Sequence, residues 1–433
     1  MSHPRRIHRA WILTAADAHS ACDASDRPAD RVLQGVFRAR KRMGRRDRAF
    51  VADLVFAMLR SRRRLDAVAD HAAPPLDPVE RVVAHLVLDG VPDDALAIDD
   101  VIVARARGAV TRWRDRPTPT DPRDQVAEAW SVPRWLVDAW ATERSVDALP
   151  AIAEAFRDRA PLTIRTNPLR ATRDEVAAAL AAEGVETRPT RWSPLGLHVE
   201  GRIQSRRSPS FGDGLWEVQD EGSQLLAVLC AAEPGQTVVD ACAGAGGKTL
   251  ALAAAMQGRG SLYAFDNDER RLGGLRPRAR RADAHNIRTE VVDRPNHPRL
   301  KRLKGRVDTV LIDAPCSGLG VLRRNPDAAR RVTPDWLDEL QGAQRGLLEQ
   351  YADVVRPGGR MVYATCSVLG RENQDAVDDF VARHPDWRRV PVRGVLEAAR
   401  VPVPDGVDTD LTLWPDLHGT DGFFAAVLQR TEG

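Results

Sequence analysis

Apolar positions recur at helical spacing through the first quarter of the chain. Residues 48–59 (Arg48-Ala49-Phe50-Val51-Ala52-Asp53-Leu54-Val55-Phe56-Ala57-Met58-Leu59) carry an apolar stripe and no breaker, so a helix is expected there. A second helical stretch begins at Val82-Val83-Ala84-His85-Leu86-Val87-Leu88. Pro117-Thr118-Pro119-Thr120-Asp121-Pro122 interrupts the pattern as a linker, and helical spacing resumes around residues 135–140. From about residue 160 the period changes. Leu162-Thr163-Ile164-Arg165-Thr166-Asn167 reads as a strand, and Leu197-His198-Val199 as another. Between them, Thr172-Arg173-Asp174-Glu175 is a capping box that starts a helix over 176–182, closed by Gly184. Beyond 216, short apolar runs alternate with helical stretches. The strand candidates are residues 237–240, 261–265, 309–312 and 360–363. Such alternation predicts a parallel, doubly wound α/β sheet. The expected organisation is an all-α domain over 1–125, linker helices with a small α+β subdomain over 126–215, and the α/β domain over 216–433.

Composition narrows the class. With 433 residues the chain is too long for one ordinary core. Charged residues make up 29% and hydrophobic residues 43%, a globular balance. No apolar run approaches the roughly twenty residues a membrane helix needs. The start, Met1-Ser2-His3-Pro4-Arg5-Arg6, is basic, but no apolar segment follows as a secretory signal requires. The five cysteines (Cys22, Cys230, Cys242, Cys316 and Cys366) are odd in number and widely spaced. A disulfide framework is not expected, and a reducing cytoplasm fits better. The histidines show no ligand spacing with cysteine, so no metal site and no membrane association are expected.

Charge is unevenly distributed. The net charge is +3, yet residues 1–75 hold sixteen Lys/Arg against eight Asp/Glu. Most of the excess lies in Arg38-Ala39-Arg40-Lys41-Arg42 and Arg45-Arg46-Asp47-Arg48, and a second basic run spans residues 270–306. Stripes of this kind suit a polyanion such as RNA, although an arginine-rich solvated surface gives the same pattern.

Two cysteines carry the candidate chemistry. Cys316 in Asp313-Ala314-Pro315-Cys316-Ser317-Gly318 and Cys366 in Tyr363-Ala364-Thr365-Cys366-Ser367 each follow an apolar run. Both thiols are therefore expected at strand ends, where open α/β sheets build their sites. Two thiols at one site can make a covalent bond to a substrate and also undo it. A second feature is the loop Asp240-Ala241-Cys242-Ala243-Gly244-Ala245-Gly246-Gly247-Lys248-Thr249, expected between the first strand of the sheet and a helix. Its small residues admit a ligand close to the backbone, and the helix start offers free N–H groups. The spacing is not that of a phosphate-binding Walker loop. Asp266 ends the next strand, nineteen residues after Gly247, where an acidic residue binds ribose hydroxyls in nucleotide folds. A dinucleotide and S-adenosyl-L-methionine share this geometry. A dehydrogenase has no need of paired strand-end cysteines, whereas methyl transfer to a poor carbon nucleophile does.

Five segments in order make the pattern specific: Gln219-Asp220-Glu221-Gly222-Ser223, the loop from Cys242 to Thr249, Asp313 to Gly318 with Arg323-Arg324-Asn325-Pro326-Asp327, Tyr363 to Ser367, and Asp421-Gly422-Phe423-Phe424. Together they resemble the Nop/Sun family of RNA cytosine-5 methyltransferases over roughly residues 130–430. The helical start, around Arg45 to Phe50 and Leu59-Arg60, resembles the NusB-like RNA-binding domain of the bacterial small-subunit ribosomal RNA branch. The resemblance implies a Rossmann-like methyltransferase core that uses S-adenosyl-L-methionine. It also implies an RNA substrate, ribosomal by the NusB-like start with transfer RNA open, and a monomeric enzyme. A silent RNA-binding assembly factor is the alternative from another class; the complete cysteine pair argues against it. The cofactor would lie over Cys242, Ala243, Gly244, Ala245, Gly246, Gly247 and Lys248. Asp266 would meet the ribose and Asp293 the adenine, with Asp313 beside them. One departure is visible: Ala245 stands where the family has proline, which enlarges the unfolded-state entropy of the loop.

The resemblance also implies Cys366 as the nucleophile on cytosine carbon 6 and Cys316 as the residue that helps release the product. In DNA cytosine-5 methyltransferases the Pro-Cys cysteine attacks instead, so the Thr-Cys-Ser and Pro-Cys contexts leave the two roles to be separated. A free thiol, with a pKa of about 8.5, is only a few per cent thiolate at neutral pH, so the site has to depress it. Asp313 could bond to or protonate ring nitrogen 3, or it could cap a helix. Arg323 and Arg324 could meet RNA phosphate or pair with acids such as Asp327. Asp293 could equally be a turn residue.

Overall fold

The computed structural model describes residues 6–432 apart from Asp26 and Arg202. The basic start at residues 1–5 lies outside the described residues. Two compact units emerge. The first runs to Asp158 and takes in Leu322–Arg331; the second holds the rest of the described chain.

The first unit is helical. The stripe expected over 48–59 forms the helix Arg45–Arg60, and Val51, Leu54, Val55 and Met58 on its inner face are buried. Each such side chain contributes roughly 1.5–3 kcal/mol. The stretch at 82–88 belongs to the helix Pro78–Leu88, which starts with a reciprocal cap. Glu80 N–H donates to Asp77 Oδ1 at 2.8 Å and Asp77 N–H donates to Glu80 Oε2 at 2.9 Å. Among the basic residues, Arg38, Lys41, Arg42 and Arg46 are exposed, while Arg48 donates to the Met43 carbonyl at 2.9 Å. The helices after the 117–122 linker pack with this unit, which runs to Asp158. The reason is local bonding: Arg64 N–H donates to Ser131 Oγ at 3.1 Å and Arg63 to the Val132 carbonyl at 3.3 Å. Leu322–Arg331 joins through Arg330, whose guanidinium donates to the carbonyls of Cys22, Asp23 and Ser25.

The second unit contains two sheets. Strands β1 (Leu162–Thr166), β2 (Thr187–Pro189), β3 (Gly196–Val199) and β4 (Trp216–Val218) form an antiparallel sheet in the order β2-β3-β1-β4. The helix Arg173–Ala182 covers it with Val176 and Leu180, and Thr172 caps that helix with Glu175 as the sequence indicated. Because β4 pairs with β1, residues 216–218 go with this small sheet, and the expected boundary at 215 falls three residues early.

The larger sheet comprises β5 (Thr237–Asp240), β6 (Ser261–Asp266), β7 (Ile287–Val291), β8 (Val307–Asp313), β9 (Val355–Thr365), β10 (Trp387–Val390), β11 (Leu411–Leu413) and β12 (Phe423–Arg430). Its order is β10-β12-β9-β8-β5-β6-β7, with β11 on β12. Strands β5 to β9 run parallel, and β12 enters antiparallel beside β9. Val238, Leu262, Leu311 and Val362 pack on one face; Val239, Tyr263, Val310 and Met361 pack on the other. Burial on both faces explains why these strands read as continuous apolar runs in the sequence. Strand order reverses between β5 and β8, which makes their carboxyl ends the crevice of this fold.

Candidate active site

Register brings the two cysteines together. β8 and β9 lie side by side with Asp313 opposite Ala364, and Ala314 N–H donates to the Ala364 carbonyl at 2.8 Å. Cys316 is three residues beyond Asp313 and Cys366 two beyond Ala364. Their sulfurs stand 3.4 Å apart. The hydrogen bond to Cys366 and burial push the Cys316 thiol well up, and Glu372 adds to the effect. Cys316 is thus held in its protonated form.

A close backbone crossing fixes Cys366. Gly320 N–H donates to the Cys366 carbonyl at 2.9 Å, and Gly422 N–H donates to the Gly320 carbonyl at 2.7 Å. A Cβ on Gly320 would meet the Gly422 oxygen at 2.1 Å, so only glycine fits. This gives the Asp421-Gly422-Phe423-Phe424 motif a physical basis: its glycine is one half of the crossing under the cysteine.

Sequence reasoning missed Glu372. Its carboxylate is fully buried and accepts from Ser317 N–H at 2.8 Å, from Ser317 Oγ, from Ser367 Oγ, and from Gln344 Nε2 at 3.2 Å. Ser317 and Ser367 are the residues after the two cysteines. No local spacing announces this acid, because its partners come from three separate stretches of chain.

The glycine loop leaves β5 and opens the helix Gly247–Ala255. Gly244 and Gly246 take positive φ of 53° and 88°. A Cβ on Gly246 would strike Leu275 at 2.1 Å, whereas one on Gly244 or Gly247 would meet nothing within 4 Å. The loop is therefore gripped on one side and open on the other, as a cradle for a ligand requires. Asp266 is buried at the end of β6; its carboxylate accepts from Gly244 N–H at 2.8 Å and from Asp268 N–H at 2.9 Å. Lys248 donates from Nζ to Asp313 Oδ2 at 2.7 Å. Burial works against the Lys248 charge, but Asp313 outweighs it and holds the ammonium above its ordinary range, with Cys366 among the smaller contributors. Burial and the carboxyls of Asp313, Asp240 and Asp266 push the Cys242 thiol up, so the third cysteine of the site is no nucleophile.

The small sheet also braces this loop, through Arg165 and Glu217, which belong to no sequence motif. Buried Arg165 on β1 donates to the Gly247 carbonyl at 2.9 Å and to the Gln219 side chain. Arg278 donates to the Ala245 carbonyl and, at 3.0 Å, to Glu217 on β4. The Arg278 bond restrains the backbone at the position where proline is missing.

Two expected residues stand apart from this cluster. Val292 N–H donates to the Asp266 carbonyl at 3.0 Å, and Asp293 follows it, two residues past the end of β7, with an exposed side chain. Arg323 is buried in the helical unit, where its carbonyl accepts from Arg60 at 3.2 Å, and Asp327 pairs with Arg331 at 3.6 Å. Among the described residues no helix is long and apolar enough to cross a membrane, and no group of three His, Cys, Asp or Glu side chains is placed to hold a metal ion.

A seven-strand path with one reversed strand, a glycine loop at the switch point and an acid ending the neighbouring strand define a Rossmann-like methyltransferase core. The comparisons with known proteins specify it further. Residues 227–429 match the family described as 16S rRNA methyltransferase RsmB/F, and residues 132–205 match the ferredoxin-like domain of the same RsmF/B-like methyltransferases. The chain is 32% identical to a probable ribosomal RNA small subunit methyltransferase B of Synechocystis over 411 residues, 89% of this chain and 91% of the relative. The crystal structure of PH0851 superposes with a TM-score of 0.79 at 26% identity, covering 99% of this chain and 100% of that one. A methyltransferase homolog protein from Pyrococcus horikoshii gives a TM-score of 0.60 at 27% identity over 72% of this chain and 99% of its own. The chain belongs to the RsmB/F family of methyltransferases.

Proposed function

We propose that this protein forms 5-methylcytosine in small-subunit ribosomal RNA, with Cys366 as nucleophile and Cys316 as the group that ends the covalent intermediate. The observation that carries the reading is the 3.4 Å thiol pair at the ends of adjacent parallel strands, beside the glycine loop. Ribosomal RNA as substrate rests on the family and on the small-subunit name of its relatives.

Carbon 5 of cytosine is a poor nucleophile. Addition of the Cys366 thiolate to carbon 6 forms a C–S bond and moves the ring electrons toward nitrogen 3, leaving carbon 5 enamine-like. Lys248, the 2.7 Å partner of Asp313, lends a proton through Asp313 to nitrogen 3, and that proton returns by the same path once the methyl group has been transferred. S-adenosyl-L-methionine, when bound, supplies an electrophilic methyl group. The open face of Gly244 and Gly247 would hold it, with Asp266 on the ribose and Asp293 near the adenine. Cys316 first gives its thiol proton to solvent, and its thiolate then takes the proton from carbon 5. The C–H electrons restore the ring double bond and expel Cys366 as thiolate. The Lys248 ammonium, bonded to Asp313, supplies positive charge to the site at this step.

The target base has to leave its stack to reach the strand ends, which costs least in loop or single-stranded RNA. Free thiols favour a reducing cytoplasm for the enzyme. The test is transfer of tritium from labelled cofactor to RNA of a strain lacking the protein, followed by bisulfite mapping. A new 5-methylcytosine in small-subunit RNA is expected. Label in transfer RNA alone would move the substrate, and no label in any RNA would favour an assembly factor.

A further inference from the structure

We propose that Glu372 is a positioning residue that locks the two cysteine loops into one register and makes the two thiols unequal. The inference rests on the cysteine roles proposed above. Its physical basis is a buried carboxylate tied to both loops at once. A buried charge is stable only when its lone pairs are filled. Here four donors fill them, and three come from the residues that follow the cysteines: Ser317 N–H, Ser317 Oγ and Ser367 Oγ. The two hydroxyls also lie 3.2 Å from each other. Gln344 adds the fourth donor and, through the same nitrogen, donates to the Pro315 carbonyl at 3.0 Å, bracing the residue before Cys316. Tyr363, on β9 before Cys366, donates its hydroxyl to the Glu372 backbone carbonyl at 2.7 Å. The residues that follow the two cysteines, Ser317 and Ser367, are thereby held by one side chain.

The asymmetry follows from where the charge sits. The Glu372 carboxylate is among the groups that hold Cys316 protonated. Lys248, the cation of the site, is bonded to Asp313. The carboxylate charge works against ionisation of Cys316, which leaves that thiol to wait while Cys366 attacks.

Glu372→Gln keeps the shape and removes the charge. It is to be compared with wild type as the full chain, on small-subunit RNA from a strain lacking the protein. We expect kcat for methyl transfer to fall tenfold or more, with RNA KM and cofactor Kd changed less than twofold. The pH dependence of Cys316 alkylation by iodoacetamide, followed by mass spectrometry, should shift to lower pH. A natively melting Glu372→Gln enzyme with wild-type kcat and an unmoved Cys316 profile overturns the proposal. Should that variant not fold, the Ser317→Ala, Ser367→Ala double variant decides: a similar fall in kcat supports the clamp, and wild-type kcat refutes it. Cys366→Ala separates the two readings. A covalent adduct surviving in that variant removes the assumed cysteine roles, while the Cys316 alkylation profile still reports on Glu372.

Discussion

The sulfur of Cys316 lies 3.4 Å from that of Cys366, although fifty residues separate them in the chain. The pair predicts opposite phenotypes for two similar substitutions. With RNA carrying 5-fluorocytosine, Cys366→Ala should form no covalent adduct, and methyl transfer should fall at least about a thousandfold, the scale of a lost nucleophile. Cys316→Ala should instead accumulate adduct with ordinary cytosine, because release is blocked. Denaturing gels of enzyme with labelled RNA distinguish them; adduct in Cys366→Ala would reverse the assignment.

Close contact between Gly320 and Gly422 leaves no room for a methyl group. Gly320→Ala should destabilise by about 1–3 kcal/mol, the usual cost of overpacking. It should also lower adduct formation, because the Cys366 carbonyl is bonded to the displaced backbone. Urea denaturation together with the adduct assay checks both. An active, fully stable Gly320→Ala enzyme would show that the crossing is not needed.

Arg165 reaches from the small sheet to the cofactor loop. Burial pushes its guanidinium down to about 10, still protonated at neutral pH. Arg165→Met would leave the Gly247 carbonyl and Gln219 without their partner, at about 1–3 kcal/mol. We expect S-adenosylhomocysteine to bind roughly five- to a hundredfold more weakly, by the same free-energy scale. Calorimetry measures this directly, and an unchanged Kd would confine Arg165 to a folding role.

Asp240 predicts a pH effect on stability. Burial pushes its carboxyl up to about 7, with a hydrogen bond from Thr249 at 2.7 Å opposing the shift. The folded state then holds a proton that the unfolded chain has lost above about pH 4, so this group's contribution falls as pH rises from about 4 to 7 and levels off beyond. Asp240→Asn should lack that decline. Urea midpoints of both proteins across this range give the test: the variant should gain on wild type as pH rises, and parallel curves would contradict the prediction.

Much of the fold was legible because its signals are local. The apolar stripe of Arg45–Arg60, the Thr172 cap and the runs that became β5, β6, β8 and β9 each specify an element through neighbours a few residues away. Boundaries were less legible. Residues 216–218 read as the start of the α/β domain, but β4 pairs with β1 some fifty residues earlier. Leu322–Arg331 lies within the catalytic motifs by sequence and packs with the helical unit. Both outcomes depend on partners distant in the chain.

By itself the sequence determined the doubly wound sheet, the two strand-end cysteines, the glycine loop and Asp266, because strand period, turn chemistry and residue type are properties of short segments. Tertiary structure decided how those pieces act on one another. Only the β8–β9 register sets the thiols 3.4 Å apart, only the Gly320–Gly422 crossing holds Cys366, and only folding brings Arg165 to the loop and Glu372 to both serines. Long-range hydrogen bonds and buried charge depend on distances in space, and a linear pattern of residues does not contain those distances.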